Sequence, residues 1–363
     1  MTEPHPKSED LTSSARPAAW GREDAVRLLA VVALGLVMYV PALGQRGNWA
    51  PREMRHGLIA LEMLRTGSCA VPRVLGRVYA DKPPLFHWAA ALCFRATGRA
   101  DELTLRLPSA LAAAAGAAGV YLLGRLLAGR GVGFTAALLT LSTALYAEWA
   151  VIGRMDMLAA ALVIHAALFG AAAARSSRFS QALAHWIPAC LFAGAAGLAK
   201  GTSDLGFSLL AMVLSWVVFS RRPGRLAALL GLGLPVAAAV VLAWLACTRG
   251  TGLASEFFAF QTGSAGRIPS KPPDYYLVHL PLRFLPHVVW LPSAAVWVLR
   301  GRRGDRDPCG AFGLAVVAAG VLILSALSSK RHHYMLPLVP FSCLAAAAFL
   351  DAQVRGQARA GGG

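Results

Sequence analysis

The chain has 363 residues, of which 56% are hydrophobic and only 15% charged, with a mean hydropathy of +0.55. A soluble domain carries about 25% charged residues, so disorder and an ordinary soluble enzyme are both excluded, and a chain that crosses a bilayer many times is expected. The net charge is +17. Its basic residues are scattered between apolar runs, which points to lipid phosphates and membrane topology and not to nucleic acid.

A span needs about 20 apolar residues. A polar stretch, 1–24, comes first and reads as a cytoplasmic tail. The run at 25–43 follows without a small-residue cleavage site, so it reads as a retained signal anchor. Further apolar runs lie at 105–123, 132–151, 158–174, 186–198, 205–219, 226–247, 284–299, 312–327 and 334–350. The expected fold class is all-α, a polytopic integral membrane protein of about ten transmembrane helices. Its membrane-embedded domain would occupy residues 25–350, with a short tail at 351–363.

With the N-terminus inside, the short inner loops hold Arg125, Arg130, Arg175, Arg178, Arg221, Arg222, Arg225, Arg300, Arg302, Arg303 and Arg306. The short outer turns hold only Arg154, Lys200, Lys330 and Arg331. Short loops carry the positive-inside signal, so the N-terminus is assigned to the cytoplasm. Two long loops, 44–102 and 249–283, then lie outside. In the first, Arg52 to Leu64 has leucines at spacings of three and four and Gly67 at a plausible end, an amphipathic helix. An extended stretch at 71–79 leads to the stiff turn Asp81-Lys82-Pro83-Pro84. A second interfacial helix is expected at 85–96.

Polar clusters cap spans on this outer face. They are Pro51-Arg52-Glu53-Met54-Arg55, the Asp81 turn, Arg154-Met155-Asp156-Met157, Lys200-Gly201, Lys271-Pro272-Pro273-Asp274-Tyr275-Tyr276, and Ser329-Lys330-Arg331-His332-His333-Tyr334-Met335-Leu336-Pro337. Four of the five lysines lie in them. Lysine offers a mobile point charge to phosphate oxygens and arginine a two-pronged grip. Carboxylates among such cations suit general-base chemistry and leave room for a divalent metal ion, although the residues demand no particular cofactor. The six cysteines show no metal spacing. His165, mid-span on an apolar face, reads as a hydrogen-bonded core histidine. Trp88, Trp149, Trp186, Trp244 and Trp290 read as an interfacial belt. Asp204, four residues beyond Lys200, reads as its ion-pair partner.

In order and spacing these clusters resemble the motifs of GT-C membrane glycosyltransferases, in the branch of the lipid A aminoarabinose transferases and protein O-mannosyltransferases. That resemblance implies a GT-C bundle with interfacial helices in its long first outer loop, embedded in the bacterial inner membrane. It implies inverting transfer of a sugar from a polyprenyl-phosphate donor, at the periplasmic face, to lipid A, another envelope glycolipid or a protein. By the same resemblance Glu53, Asp156 and Asp81 are catalytic candidates, the first two orienting or deprotonating the acceptor or holding a metal. Lys82, Lys200, Lys330 and Arg331 would hold phosphate, with Arg55, Arg154, His333 and Tyr334 beside them, and Arg267 and Lys271 would close over the donor. Three departures stand out. Arg52 replaces the aspartate that relatives carry first in the acidic pair. Ser270 lies near the place where some relatives have a metal-binding histidine, and the sequence stops soon after residue 350. Competing readings are a phospholipid flippase, which should show inverted repeats and midplane charges, and a non-catalytic lipid-binding paralogue, which Arg52 would explain.

Overall fold

The computed structural model describes residues 19–45, 50–261, 271–301, 307–327 and 330–360. Helices dominate: α1 (Arg22–Tyr39), α2 (Ala50–Thr66), α3 (Leu85–Thr97), α4 (Glu102–Ala128), α5 (Arg130–Ser142), α6 (Ala144–Ala150), α7 (Met155–Arg175) and α8 (Phe179–Lys200). They continue with α9 (Thr202–Phe219), α10 (Arg225–Cys247), α11 (Leu253–Gln261), α12 (Tyr275–Arg283), α13 (Leu291–Arg300), α14 (Pro308–Ala326) and α15 (Val339–Ala360). Beside them, a two-residue antiparallel hairpin, β1 (Arg73–Val74) with β2 (Arg77–Val78), fills the expected extended stretch. The two helices expected in the first long loop form as α2 and α3, and left-handed glycines follow each, Gly67 at φ 69° and Gly98 at φ 67°. That conformation is cheap only without a Cβ.

Among the described residues, eight helices are long and apolar enough to cross a membrane, or nine if the bent α12–α13 pair is one span. About ten were expected. The difference has two physical causes. The run at 132–151 is divided at Thr143, whose extended backbone (ψ 130°) separates α5 from the short α6. The run at 284–299 sits within the α12–α13 pair, bent by 113°. Irregular backbone at membrane depth survives only where protein groups satisfy it. Here the two breaks satisfy each other: the Ala144 amide donates to the Leu285 carbonyl at 2.8 Å. His287 sits beside them, fully buried, with one ring nitrogen 3.1 Å from the Thr143 hydroxyl and the other 2.8 Å from that of Ser342.

Small residues set the helix spacing, as expected where lipid gives no hydrophobic drive between helices. A Cβ on Gly133 of α5 would lie 2.4 Å from the Tyr121 carbonyl oxygen of α4, and one on Gly124 would lie 2.6 Å from the Gly133 Cα. His165 behaves as a core histidine, its Nδ1 2.7 Å from the Ala161 carbonyl and its ring stacked on Phe192. All six cysteines are free thiols.

Helices α1 and α4 pack side by side and are pinned at both ends. At one end the buried Asp24 of α1 accepts hydrogen bonds from Arg125, from Arg130 (2.9 and 3.0 Å) and from the Tyr121 hydroxyl (3.1 Å). At the other, Arg106 of α4 donates to the Leu43 carbonyl at 2.6 Å, just beyond the end of α1. The functional side chains gather at this second end.

Replacing Gly133 by valine should lower the stability of the detergent-solubilised protein by about 1–3 kcal/mol, the usual range for overpacking. Thermal unfolding measures it. An unchanged melting temperature would mean that α4 and α5 do not meet there.

Candidate active site

The first component is a buried carboxylate. Glu53, in the first turn of α2, is 1% exposed. Both its oxygens are engaged by Arg106, Nε to Oε1 at 2.7 Å and Nη2 to Oε2 at 3.0 Å. The Gly153 amide also donates to Oε1, at 2.7 Å. A Cβ at Gly153 would lie 2.7 Å from the Leu105 side chain and 3.1 Å from Glu53 Oε1, so the glycine is required by this approach. Glu53 thus ties α2 and α4 to the turn that presents Arg154 and Asp156.

The second component centres on Asp156, at the start of α7 and fully buried. Lys200 Nζ lies 3.1 Å from its Oδ1, Arg154 Nη2 3.5 Å from its Oδ2, and His333 Nε2 3.8 Å from its Oδ1. Lys200, the last residue of α8, also reaches Asp204 at 3.4 Å, the pairing that the sequence indicated. Its ammonium lies 5.3 Å from the centre of the Tyr334 ring. Gly201 follows at φ 120°, and a Cβ there would meet the Gln261 amide at 2.5 Å. Gln261 also accepts from the Thr202 hydroxyl at 3.2 Å. The lysine–glycine pair is therefore a helix end that turns sharply under α11.

Lys82 stands in the Asp81 turn, its ammonium 5.2 Å from the centre of the Phe260 ring. Burial first, and then the positive charge of Lys200, push its pKa down to about 8. Asp81 is half-buried beside it, and its charge acts on both Lys82 and Tyr79. Arg55 lies 5.8 Å from the centre of the Tyr79 ring. The remaining candidates are placed less directly. Lys330 is buried, but its ammonium donates to the carbonyls of Leu327 and Lys271 (3.0 Å to the latter), anchoring the end of α14. The Arg331 amide donates to the Tyr276 hydroxyl at 3.2 Å. Lys271 is exposed, 4.3 Å from the centre of the Tyr275 ring. Arg267 and Ser270 lie outside the described residues, as does the Arg52 side chain.

Three components escaped the sequence. Nothing in the sequence singles out Arg106, and its partner Glu53 lies 53 positions away. His56 and His87 are buried against each other, Nδ1 to Nε2 at 3.0 Å, joining α2 to α3. Burial drives both pKa values down, that of His87 to about 3, so the pair is neutral. Trp149 does not lie in an interfacial belt. It is 5% exposed and packed against His333 with ring centres 4.4 Å apart and planes tilted by 32°, and Arg154 sits 5.0 Å from its ring centre. Among the described residues no three His, Cys, Asp or Glu side chains converge as metal ligands. An apolar groove of about 230 Å³ lies between α2, α3 and α4, lined by Met54, Leu58, Leu61, Phe94 and Leu105.

Residues 81–246 match the family model described as dolichyl-phosphate-mannose-protein mannosyltransferase. A protein of Shewanella sediminis, an undecaprenyl phosphate-alpha-4-amino-4-deoxy-L-arabinose arabinosyl transferase, is 27% identical over 338 residues, covering 90% of this chain and 60% of the relative. The homologue from Aeromonas salmonicida, with the same description, is also 27% identical, over 342 residues. The chain therefore spans about three fifths of the length of these curated relatives. Among solved structures, ArnT from Cupriavidus metallidurans bound to undecaprenyl phosphate superposes with a TM-score of 0.78 at 22% identity, over 89% of this chain and 60% of that one. The archaeal oligosaccharyltransferase AglB from Archaeoglobus fulgidus gives 0.55 at 12% identity, over 91% and 50%. The fold is that of the GT-C membrane glycosyltransferases, as the motifs indicated.

Replacing Arg106 by leucine should cost about 3–5 kcal/mol, because it strips a buried carboxylate of its two-pronged partner. Adding Glu53→Leu should recover part of that loss. Melting temperatures of the two variants in detergent decide it: a double variant no more stable than Arg106→Leu alone would mean that the pair does not carry the cost.

Proposed function

We propose that the protein transfers a sugar from a polyprenyl-phosphate donor to an envelope glycolipid, with lipid A the leading acceptor, at the periplasmic face of the bacterial inner membrane. The observation that carries this reading is convergence. Arg154, Lys200 and His333 come from three separate stretches of sequence and meet around Asp156 at one end of the bundle, and Lys82, from a fourth, lies within reach of the Lys200 and Asp156 charges. Two supports come from the relatives: the Shewanella and Aeromonas proteins are named for an undecaprenyl-phosphate-linked sugar, and the Cupriavidus structure holds undecaprenyl phosphate. The excess of arginine in loops on the N-terminal side supports a cytoplasmic N-terminus, with the site outside.

The chemistry asks for a phosphate leaving group to be held while charge develops on it. Lys82 and Arg154 are the cations best placed for that work, since Lys200 is shared between two carboxylates. Asp156 would fix the positions of these cations. Each of the buried acids described at this end has a cation at hand: Glu53 has Arg106, and Asp156 and Asp204 have Lys200. With Arg52 in place of the relatives' aspartate, an acceptor that arrives already ionised fits best, because no proton then has to be removed. Glu53, held on both oxygens, acts in this scheme as a positioning residue for the Gly153–Asp156 turn.

The test is transfer by the purified protein, in detergent, from undecaprenyl-phosphate-linked aminoarabinose to lipid A, read by mass spectrometry. Lys82→Ala should lower kcat/KM by about 100-fold or more, the scale for losing one charge-stabilising donor. Wild-type protein that gives no product with this donor, or with undecaprenyl-phosphate hexoses, would sink the proposal.

The depressed pKa of Lys82 gives a pH signature. A lysine is charged below its pKa, so kcat/KM should decline as pH rises through about 8, where an ordinary lysine would hold its charge to about pH 10. Lys82→Arg should shift that decline upward, and a profile identical to wild type would remove Lys82 from the donor site.

A further inference from the structure

Two pairs of consecutive residues divide between two sides of one place. Glu148 and Trp149 are neighbours on α6, and His332 and His333 are neighbours in the turn that opens the last span. Trp149 and His333 lie beside the Asp156 cluster, their rings 4.4 Å apart, while Trp149 also meets His332 edge-on at 6.3 Å. Glu148 and His332 meet on the other side, His332 Nε2 lying 3.9 Å from Glu148 Oε1. Arg283, from the last turn of α12, donates to Glu148 Oε2 at 2.5 Å.

This second cluster differs from the first in access. The side chains of Glu148, Arg283 and His332 are 33%, 29% and 29% exposed, whereas that of Asp156 is 1% exposed. It also differs in charge balance. Arg283, His279 and Lys271 are the basic groups whose charges reach His332, and Asp156 is the acid that acts on it from the other side. His279 is held by its own helix, its Nδ1 2.7 Å from the Tyr275 carbonyl and its ring stacked on Tyr275, with Lys271 over the same tyrosine. Two permanent cations and two histidines thus gather about one contacting carboxylate. An arginine that grips a carboxylate will grip a phosphoryl group in the same way.

We infer that Arg283 and His332, with Lys271 and His279 behind them, form the subsite for the acceptor's phosphoryl group, and that Glu148 holds the anion's place until it arrives. This rests on the glycosyl-transfer reading and names the acceptor side of it. Trp149 borders both this subsite and the Asp156 cluster, and the sugar's anomeric carbon would lie between the two anions, as inversion requires. A phosphoryl oxygen of the acceptor forms the new bond to the anomeric carbon. The bond from that carbon to the donor phosphate breaks, and its electron pair leaves with the lipid phosphate. The donor's diester monoanion becomes a monoester dianion while the acceptor's monoester dianion becomes a diester monoanion, so no proton has to move. The same chemistry would accept free phosphate or a lipid-borne phosphate.

Binding to the purified full chain in detergent tests this, with four probes: lipid A carrying its phosphates, the same lipid dephosphorylated, inorganic phosphate and undecaprenyl phosphate. Arg283→Gln should weaken phosphorylated lipid A by about tenfold. Glu148→Gln, which removes the internal competitor's charge, should tighten it. Neither should alter undecaprenyl phosphate binding, and dephosphorylated lipid A should not distinguish the three proteins. Competition by inorganic phosphate would assign recognition to the phosphate alone, and its failure would assign it to a phosphate on a lipid body; both support the subsite. Equal binding of phosphorylated lipid A by wild type and Arg283→Gln, or weaker binding by Glu148→Gln, would overturn it and leave the trio as a strut between α6 and α12. Wild-type protein that shows these headgroup differences but does not bind undecaprenyl phosphate would keep the subsite and sink the transfer reading.

Discussion

The buried pair of Glu53 and Arg106 is the interaction on which the site depends. Burying two charges in an apolar bundle is expensive, and it is tolerable only when each charge meets the other with good geometry and the remaining polar atoms are satisfied. Here the guanidinium meets both carboxylate oxygens and also the Leu43 carbonyl, and the Gly153 amide completes the set. One ion pair therefore fixes four segments: the end of α1, the start of α2, the first turns of α4, and the turn before α7. The last of these carries Arg154 and Asp156. An error in the pair would displace Arg154 and Asp156 without touching either side chain.

The organisation above this pair is economical in charge. Lys200 serves two carboxylates, and Asp156 has three basic neighbours. Adding a lipid phosphate to such a cluster does not require new cations to be buried. Lys82 is the most adaptable member, since burial and Lys200 already hold its pKa near 8. An arriving anion would raise that pKa and hold the charge to higher pH, which couples anion binding to protonation.

Much of this was legible before any coordinates. The spans at 158–174, 205–219 and 226–247 fall within α7, α9 and α10, because a long apolar run has no other way to satisfy its backbone in lipid. The pairing of Lys200 with Asp204 followed from a four-residue spacing, the helix before the Asp81 turn from periodicity and a glycine, and the one after it from an apolar run too short to span. What could not be read was long-range. Arg106 and Glu53, or His56 and His87, are unremarkable singly, and nothing local announces their partners. The split at Thr143 was hidden for a different reason: its neighbours, Thr140 and Ser142 included, carry no charge and no Gly or Pro, so hydropathy runs through the break. Trp149 was misread because a tryptophan near a span end is usually interfacial, and only packing against His333 separates the two cases.

The breaks themselves explain why reactive groups could be placed at this depth. A continuous helix across 132–151 would carry Glu148 and Trp149 on a rigid rod whose direction is set by α4. Division at Thr143 frees α6 to take its own direction, and a bend between α12 and α13 does the same for Arg283. The exposed backbone groups created by the two breaks are not left to lipid. The Ala144 amide finds the Leu285 carbonyl, and His287 joins the Thr143 and Ser342 hydroxyls. Because each break satisfies the other, α6 and α12 cannot be repositioned independently. Arg283 ends α12 two residues before Leu285, and Glu148 lies one turn beyond Ala144 on α6, so the Arg283–Glu148 contact sits close to the junction and a shift of one helix would carry the groups of both.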